Sequence, residues 1–144
     1  MSLEQLYQEK ILAFARSARQ SGTLDDAGFS ATITNPTCGD RVRVDLDLDG
    51  NRHITRLGAE ANGCALCEAA TGLLLKTAPG QPADAVAGLA DEIETWLRGE
   101  RDSTSLDGQD AFTPVKAFGS RHGCVSLPFQ AAAKALTAAT GKAD

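Results

Sequence analysis

The sequence predicts an α+β fold, with an antiparallel three-stranded sheet and helices packed on one face. Two observations favour this class. Three segments with strand patterns follow one another between residues 29 and 61, and segments with helical periodicity stand before and after them. Strands grouped in this way, rather than alternating with helices, are typical of α+β domains. At 144 residues the chain is expected to form one domain, 1–144.

The second predicted strand has the clearest pattern. Apolar and charged residues alternate through Arg41–Leu48, which predicts one buried face and one face in water. Phe29–Thr34 alternates similarly and stops at Asn35-Pro36, because proline disfavours continuation of a strand. Asp49-Gly50-Asn51 tolerates positive φ, so Arg41–Leu48 and His53–Ala61 are expected to form an antiparallel hairpin.

Four helices are predicted from apolar residues that recur at three- and four-residue spacing. They cover Leu3–Ala18, Cys64–Lys76, Ala83–Leu97 and Val125–Ala139. Pro128 then falls in the first turn of the last helix, where its missing N–H costs little. The charged and small residues of Arg98–Asp110 indicate an exposed loop. Trp96 is assigned to the core rather than to a partner surface.

Composition excludes several kinds of function. The formal net charge is −5 and the 14 Lys and Arg residues are dispersed, so no basic stripe suits nucleic acid. No apolar run approaches the roughly 18 to 20 residues that span a membrane. The amino terminus lacks the features of a secretory signal, which predicts a cytoplasmic protein. Cysteines kept reduced there favour metal ligands or reactive thiols over disulfides.

Three of the four cysteines share a setting that suggests a metal site. Cys38 lies in the turn between two predicted strands, while Cys64 and Cys124 each follow a glycine at a predicted helix start. A helix N-terminus stabilises negative charge, so a lowered thiol pKa is expected there. Asp40 can turn toward the same point, because Gly39 allows a tight bend. Three thiolates and one carboxylate form a tetrahedral set suited to zinc, and such a shell also suits a transient iron–sulfur cluster.

The cysteine motifs carry a family resemblance. They are Asn35-Pro36-Thr37-Cys38-Gly39-Asp40, Asn62-Gly63-Cys64 and Arg121-His122-Gly123-Cys124, and Leu6–Leu12 adds a similar first helix. Together they resemble the SufU and IscU group of iron–sulfur cluster assembly proteins, the NifU N-terminal type. Two features make the chain more similar to SufU. The stretch between Cys64 and Cys124 is longer than in IscU-type proteins, and Gly123 stands where those proteins place a ligand histidine.

The resemblance implies a function and a set of site residues. Zinc would be held by Cys38, Asp40, Cys64 and Cys124. A SufS-like cysteine desulfurase would pass persulfide sulfur to Cys38, after a histidine of that partner replaced Cys38 on the metal. The chain would thus be a sulfur acceptor rather than a free-standing enzyme, serving a downstream iron–sulfur scaffold or apo-proteins. The alternative within the family is a scaffold that assembles and transfers a [2Fe-2S] cluster on the same ligands.

Other interpretations of these residues stay open at this point. Cys67 departs from the family pattern and is expected to be a buried small residue, although it could replace Asp40 on the metal or resolve a persulfide. His122 is either an alternative ligand or a surface histidine, and Arg121 is either solvated or near the metal. A different class of function would be a structural zinc module, or a thiol-redox module that uses Cys64 and Cys67.

Overall fold

The structure, a computed structural model, describes residues 3–142 and the side chains of residues 4–137. Its three strands form an antiparallel meander in the order β1-β2-β3. They are β1 (Phe29–Thr34), β2 (Arg41–Leu48) and β3 (Ile54–Asn62). The predicted sheet is therefore confirmed, and its third strand lies one residue later than expected.

One helix precedes the three strands along the chain, and the other helices follow them. The helices are α1 (Leu3–Ser21), α2 (Ala65–Thr77), α3 (Ala83–Ala87), α4 (Leu89–Leu97), a first 3-10 helix (Gln109–Ala117), a second 3-10 helix (Gly119–Arg121) and α5 (His122–Lys142). None of them, within residues 3–142, is long and apolar enough to cross a membrane. The α+β class with helices against the sheet is confirmed.

The core lies between the helices and one face of the sheet. Val42, Val44 and Leu46 alternate along β2 and are fully buried, as the strand pattern predicts. Leu73 of α2 and Phe129 of α5 belong to the same buried cluster. Both α2 and α5 contact the sheet, and they also contact each other. Trp96 is also buried, at 4% exposure, which confirms its assignment to the core.

The opposite face of β2 is not uniformly in water, which corrects the sequence interpretation. Asp45 is fully buried there. Its carboxylate accepts hydrogen bonds from the Ser30 hydroxyl, the Leu24 N–H at 3.1 Å and the Arg43 Nε–H at 3.0 Å. The chain after α1 crosses this face, and it packs on Gly58, the residue paired with Asp45. Alternation within β2 could not reveal that crossing.

The hairpin turn also differs in detail from the prediction. The residue with positive φ is Arg52, at 61°, rather than Gly50 or Asn51. Asp49 shapes the turn, because its Oδ1 accepts the N–H groups of Asn51 and His53, each at 2.9 Å. An aspartate that bonds the backbone ahead of it is a common way to close a turn.

One predicted helix is divided in the structure, and another starts three residues earlier than predicted. The helix expected over Ala83–Leu97 is divided at Gly88 into α3 and α4. The last helix begins at His122 instead of Val125, so Cys124 lies in its first turn rather than before it. Pro128 therefore sits inside α5 and not in its first turn. Its missing N–H removes the usual helical donor to the Cys124 carbonyl.

The predicted loop Arg98–Asp110 is anchored rather than fully exposed. Leu106 is buried at 3% exposure, and Ser105 donates backbone and hydroxyl hydrogen bonds to Glu92 of α4. The first 3-10 helix follows, and its Phe112 is fully buried. The spacing of Ala111, Phe112 and Val115, which are the buried residues of this helix, is the signal in the sequence for a buried turn.

Candidate metal centre

The loop between β1 and β2 holds Cys38 in a closed turn. The Asn35 N–H donates to the Asp40 carbonyl at 2.7 Å, and the Gly39 N–H donates to the Asn35 carbonyl at 2.8 Å. Gly39 has a φ of 76°, a left-handed conformation that glycine adopts without strain. The turn leaves Cys38 exposed at its tip and places Asp40 in the interior, at 3% exposure.

Cys64 is the N-cap residue of α2, as the sequence predicts, and it contacts Asp40. Asp40 Oδ1 accepts the Cys64 N–H at 3.2 Å, while Asp40 Oδ2 lies 3.6 Å from Cys64 Sγ. The carboxylate therefore caps the first turn with one oxygen and faces the thiol with the other. Gly63 makes this approach feasible, because any Cβ at that position would collide with the Asp40 side chain.

Cys124 completes the cluster from the third residue of α5. It is fully buried, and its Sγ lies 3.7 Å from Cys38 Sγ. Cys38, Asp40 and Cys124 form a group whose ligand atoms all lie within 4.8 Å of one another, and Cys64 joins this group through Asp40. The structure thus brings three of the four predicted ligands into one group, and Cys64 lies beside this group rather than within it.

Two separations within this cluster fit a tetrahedral zinc ion. Two sulfurs bound to one zinc at about 2.3 Å lie about 3.8 Å apart, and a sulfur and a carboxylate oxygen lie about 3.6 Å apart. The Cys38–Cys124 distance of 3.7 Å and the Cys64–Asp40 distance of 3.6 Å match these values. Since Asp40 Oδ1 is engaged by the Cys64 N–H, Oδ2 is the oxygen left to face a metal.

The pKa of Asp40 is lowered from its usual value, whereas the pKa of Cys124 is raised. Burial by itself would raise the pKa of Asp40, but hydrogen bonds from the thiols of Cys38 and Cys124 and from Cys64 outweigh it, so the pKa is lowered. Burial, followed by hydrogen bonds with Asp40 and the neighbouring thiols, raises the pKa of Cys124. The lowered pKa predicted at this helix start is therefore wrong for Cys124. The buried Asp40 carboxylate beside the buried Cys124 thiol suits a cation, which would favour their ionised forms.

Two side chains near the cluster take other roles. Cys67 is fully buried on α2, and burial followed by the charge of Asp40 raises its pKa to about 12. This confirms the expected packing role. His122 is half-buried, and its Nε2 lies 3.1 Å from the Val115 carbonyl and 3.2 Å from the Lys116 carbonyl. The ring therefore ties α5 to the first 3-10 helix, and the interpretation as a surface histidine without contacts is wrong.

A groove of about 580 Å³ opens beside Cys64. Its walls come from the start of α2 and from both 3-10 helices, and they include Leu66, Phe118 and Arg121. Phe118 is 61% exposed, which is unusual for a large aromatic residue. Arg121 thus lines the same groove as Cys64, and the groove was not predicted from the sequence because its 3-10 wall was not predicted.

Comparison with known proteins identifies the family of the chain. A model of the NifU-like N terminal domain matches residues 6–125. The chain belongs to that family. The zinc-dependent sulfurtransferase SufU of Bacillus subtilis is 26% identical over 142 residues, which cover 97% of this chain and 95% of that protein. The iron-sulfur cluster assembly scaffold protein IscU of Thermotoga maritima is 28% identical over 137 residues, covering 94% and 96% respectively.

Solved structures of the NifU-like family have the same fold. The crystal structure of the N-terminal part of a nitrogen-fixing NifU-like protein from Brucella abortus superimposes with a TM-score of 0.83. The two chains are 25% identical, and the match covers 97% of this chain and 98% of the other. The resemblance inferred from the cysteine motifs is confirmed.

Proposed function

We propose that this protein accepts sulfur in iron–sulfur cluster assembly, with zinc held by Cys38, Asp40, Cys64 and Cys124. A cysteine desulfurase supplies the sulfur, and Cys38 is the residue that receives it. Family membership and the sulfurtransferase relative support the process. The single observation that carries the proposal is the cluster geometry, in which the sulfurs of Cys38 and Cys124 are 3.7 Å apart beside the buried Asp40 carboxylate.

The difference in exposure between the cysteines supports Cys38 as the acceptor. Cys38 stands at the tip of an exposed turn, whereas Cys124 is buried. An incoming persulfide on another protein can therefore reach Cys38 without rearrangement of a helix. Cys64 is half-buried at the groove, and the buried Asp40 links it to the rest of the cluster.

The transfer step conserves atoms and electrons. The Cys38 thiolate attacks the outer sulfur of the donor's cysteine persulfide, and the bond between the two donor sulfurs breaks. Cys38 then carries the persulfide, and the donor cysteine leaves as a thiolate. Bound zinc would supply a positive charge that keeps the cluster thiols ionised near neutral pH. Arg121, which lines the groove beside Cys64, adds a second positive charge on the side from which the donor's persulfide would approach.

Turnover of a cysteine desulfurase tests the proposal. We expect the purified chain to contain about one zinc and to accelerate a SufS-like desulfurase, and we expect Cys38→Ser to fold but to accept no sulfur. Cys67→Ala is the matched control, because Cys67 is outside the cluster. Persulfide sulfur found by mass spectrometry on Cys64 or Cys124 in the Cys38→Ser protein would move the acceptor role. If a saturating concentration of this protein leaves the desulfurase rate unchanged, a structural zinc module would be favoured.

A cluster scaffold is the second candidate, supported by the Thermotoga maritima relative. The same ligands would then hold a [2Fe-2S] cluster on its way to apo-proteins. Anaerobic incubation with ferrous iron, cysteine, a desulfurase and a thiol reductant distinguishes the two functions, because an assembled cluster absorbs visible light and zinc does not; the reductant converts the transferred sulfur to sulfide. The SufS-like identity of the donor, the downstream acceptors and the cytoplasmic location stay predictions from the sequence.

A further inference from the structure

Asn35 contacts both chain segments that supply the Cys38 and Cys124 thiols. Its side-chain Oδ1 accepts the Thr37 N–H at 3.0 Å, and its backbone N–H and carbonyl close the turn onto Asp40 and Gly39. This is an Asx turn, in which a side chain takes the place of a backbone partner. Asn35 therefore determines the course of the five residues that carry Cys38 and Asp40.

The other end of the same side chain lies against the start of α5. A Cβ built on Gly123 would lie 2.8 Å from Asn35 Nδ2, which is closer than real Cβ atoms approach. Gly123 directly precedes Cys124, and only the absence of a side chain there lets the amide of Asn35 come this near. The amide thus fills the space between the Cys38 turn and the first turn of α5.

We propose that Asn35 is a positioning residue that sets the separation of the Cys38 and Cys124 sulfurs, through its paired contacts with the Thr37 N–H and with Gly123. The inference rests on the proposed metal centre, which it deepens. Asn35 is not a ligand. It acts through the turn and the helix start, as residues around metal ligands commonly do.

Metal affinity tests the proposal in the full-length chain. After removal of bound metal, zinc affinity is measured by competition with a chelator, and the Co²⁺ complex is followed by its visible absorption. We expect Asn35→Ala to lower zinc affinity about 10- to 100-fold and to change the Co²⁺ spectrum. Asn51→Ala is the matched control, because Asn51 lies in the β2–β3 turn at the other end of the sheet. Unchanged affinity and spectrum in a folded Asn35→Ala protein would overturn the inference.

A double substitution distinguishes positioning from general destabilisation. Gly123→Ala should weaken zinc binding in the wild-type background, because its Cβ meets the Asn35 amide. In the Asn35→Ala background that amide is absent, so Gly123→Ala should cause a smaller loss of zinc affinity. Equal losses in the two backgrounds would contradict a direct contact between these residues.

A thiol measurement separates failure of this inference from failure of the proposed function. Oxidised glutathione can convert the metal-free Cys38 and Cys124 thiols to a disulfide while it is reduced to two molecules of glutathione. In Asn35→Ala the equilibrium yield of this disulfide, mapped by mass spectrometry at a fixed ratio of oxidised to reduced glutathione, should be lower than in the wild type, because the two sulfurs are no longer held close together. If no chain binds zinc but the disulfide yield still falls, the metal centre is wrong and the role of Asn35 stands. If the yield is unchanged, that role is wrong.

Discussion

Cys64 and Cys67 are three residues apart on the chain but lie in different surroundings. Cys64 opens α2 beside Asp40 and the groove, while Cys67 points into the core and is fully buried. The four-residue segment that suggests a redox pair thus contains one residue of the cluster and one packing residue.

Replacing Cys67 with alanine tests this division of roles. We expect Cys67→Ala to bind zinc as the wild type does and to lose about 1 kcal/mol of unfolding free energy, because only a small buried sulfur is removed. Elemental analysis and chemical denaturation measure the two quantities. Cys64→Ala should instead lower the zinc content. A matching zinc loss in Cys67→Ala would assign Cys67 to the metal.

Thiol alkylation of the metal-free protein should follow exposure and pKa. Near pH 8 we expect iodoacetamide to modify Cys38 before Cys67 and Cys124, because the thiolate is the reactive form and burial raises the pKa of both buried thiols, that of Cys67 to about 12. Peptide mass spectrometry over a time course gives the order. Modification of Cys67 before Cys38 in a folded sample would contradict the structure.

At the scale of elements, α1 and α2 cross at a contact that only glycine allows. A Cβ on Gly72 would collide with the backbone carbonyl of Phe14. The glycine that weakens α2 as an isolated helix therefore lets the two helices pack closely, and the Arg19–Glu68 ion pair at 3.2 Å spans the same pair of helices.

Gly72→Ala is expected to destabilise the protein, against the prediction from helix propensity. Propensity alone favours alanine by about 1 kcal/mol, whereas forcing α1 and α2 apart costs about 1 to 3 kcal/mol. The midpoint of urea denaturation measures the balance. Gly88→Ala is the control, since a Cβ at Gly88 has no neighbour closer than 3.7 Å. A stabilised Gly72→Ala protein would show that the helices adjust without cost.

At the scale of the whole molecule, the cluster joins three separate parts of the fold. Cys38 and Asp40 come from the turn between β1 and β2, Cys64 from the junction of β3 and α2, and Cys124 from α5. An ion bound by all of them cross-links the sheet to both central helices. Such a site does not exist in the unfolded chain, so its binding energy adds to the stability of the fold.

Zinc should therefore raise the thermal stability of the protein. At free zinc 100 times above Kd, a single site adds about 2.7 kcal/mol to the unfolding free energy. We expect a midpoint several degrees higher with zinc than with a chelator, measured by calorimetry. The Cys64→Ala protein should show a smaller difference. Equal midpoints for the wild type in both conditions would argue against a metal bound to the folded state.

Local patterns were sufficient to predict the strands, most helices and the chemical types of the site residues. The alternation in Arg41–Leu48 and the glycine-flanked cysteines depend only on residues close along the chain, and such features are readable without the fold. Local patterns led to wrong predictions where a segment distant in the sequence packs against the residues concerned. Asp45 is buried because another segment crosses its face of the sheet, and α5 begins at His122, whose ring binds carbonyls of the first 3-10 helix.

The convergence of Cys38, Asp40, Cys64 and Cys124 required the three-dimensional fold. Family resemblance implied their shared role, but their distances depend on how the sheet, α2 and α5 pack together. The raised pKa of Cys124 arises in the same way, since desolvation comes from surrounding elements and not from its neighbours in sequence. Patterns among neighbouring residues identify the residue types of the site. Packing between distant segments determines the distances among the site residues and their charge state.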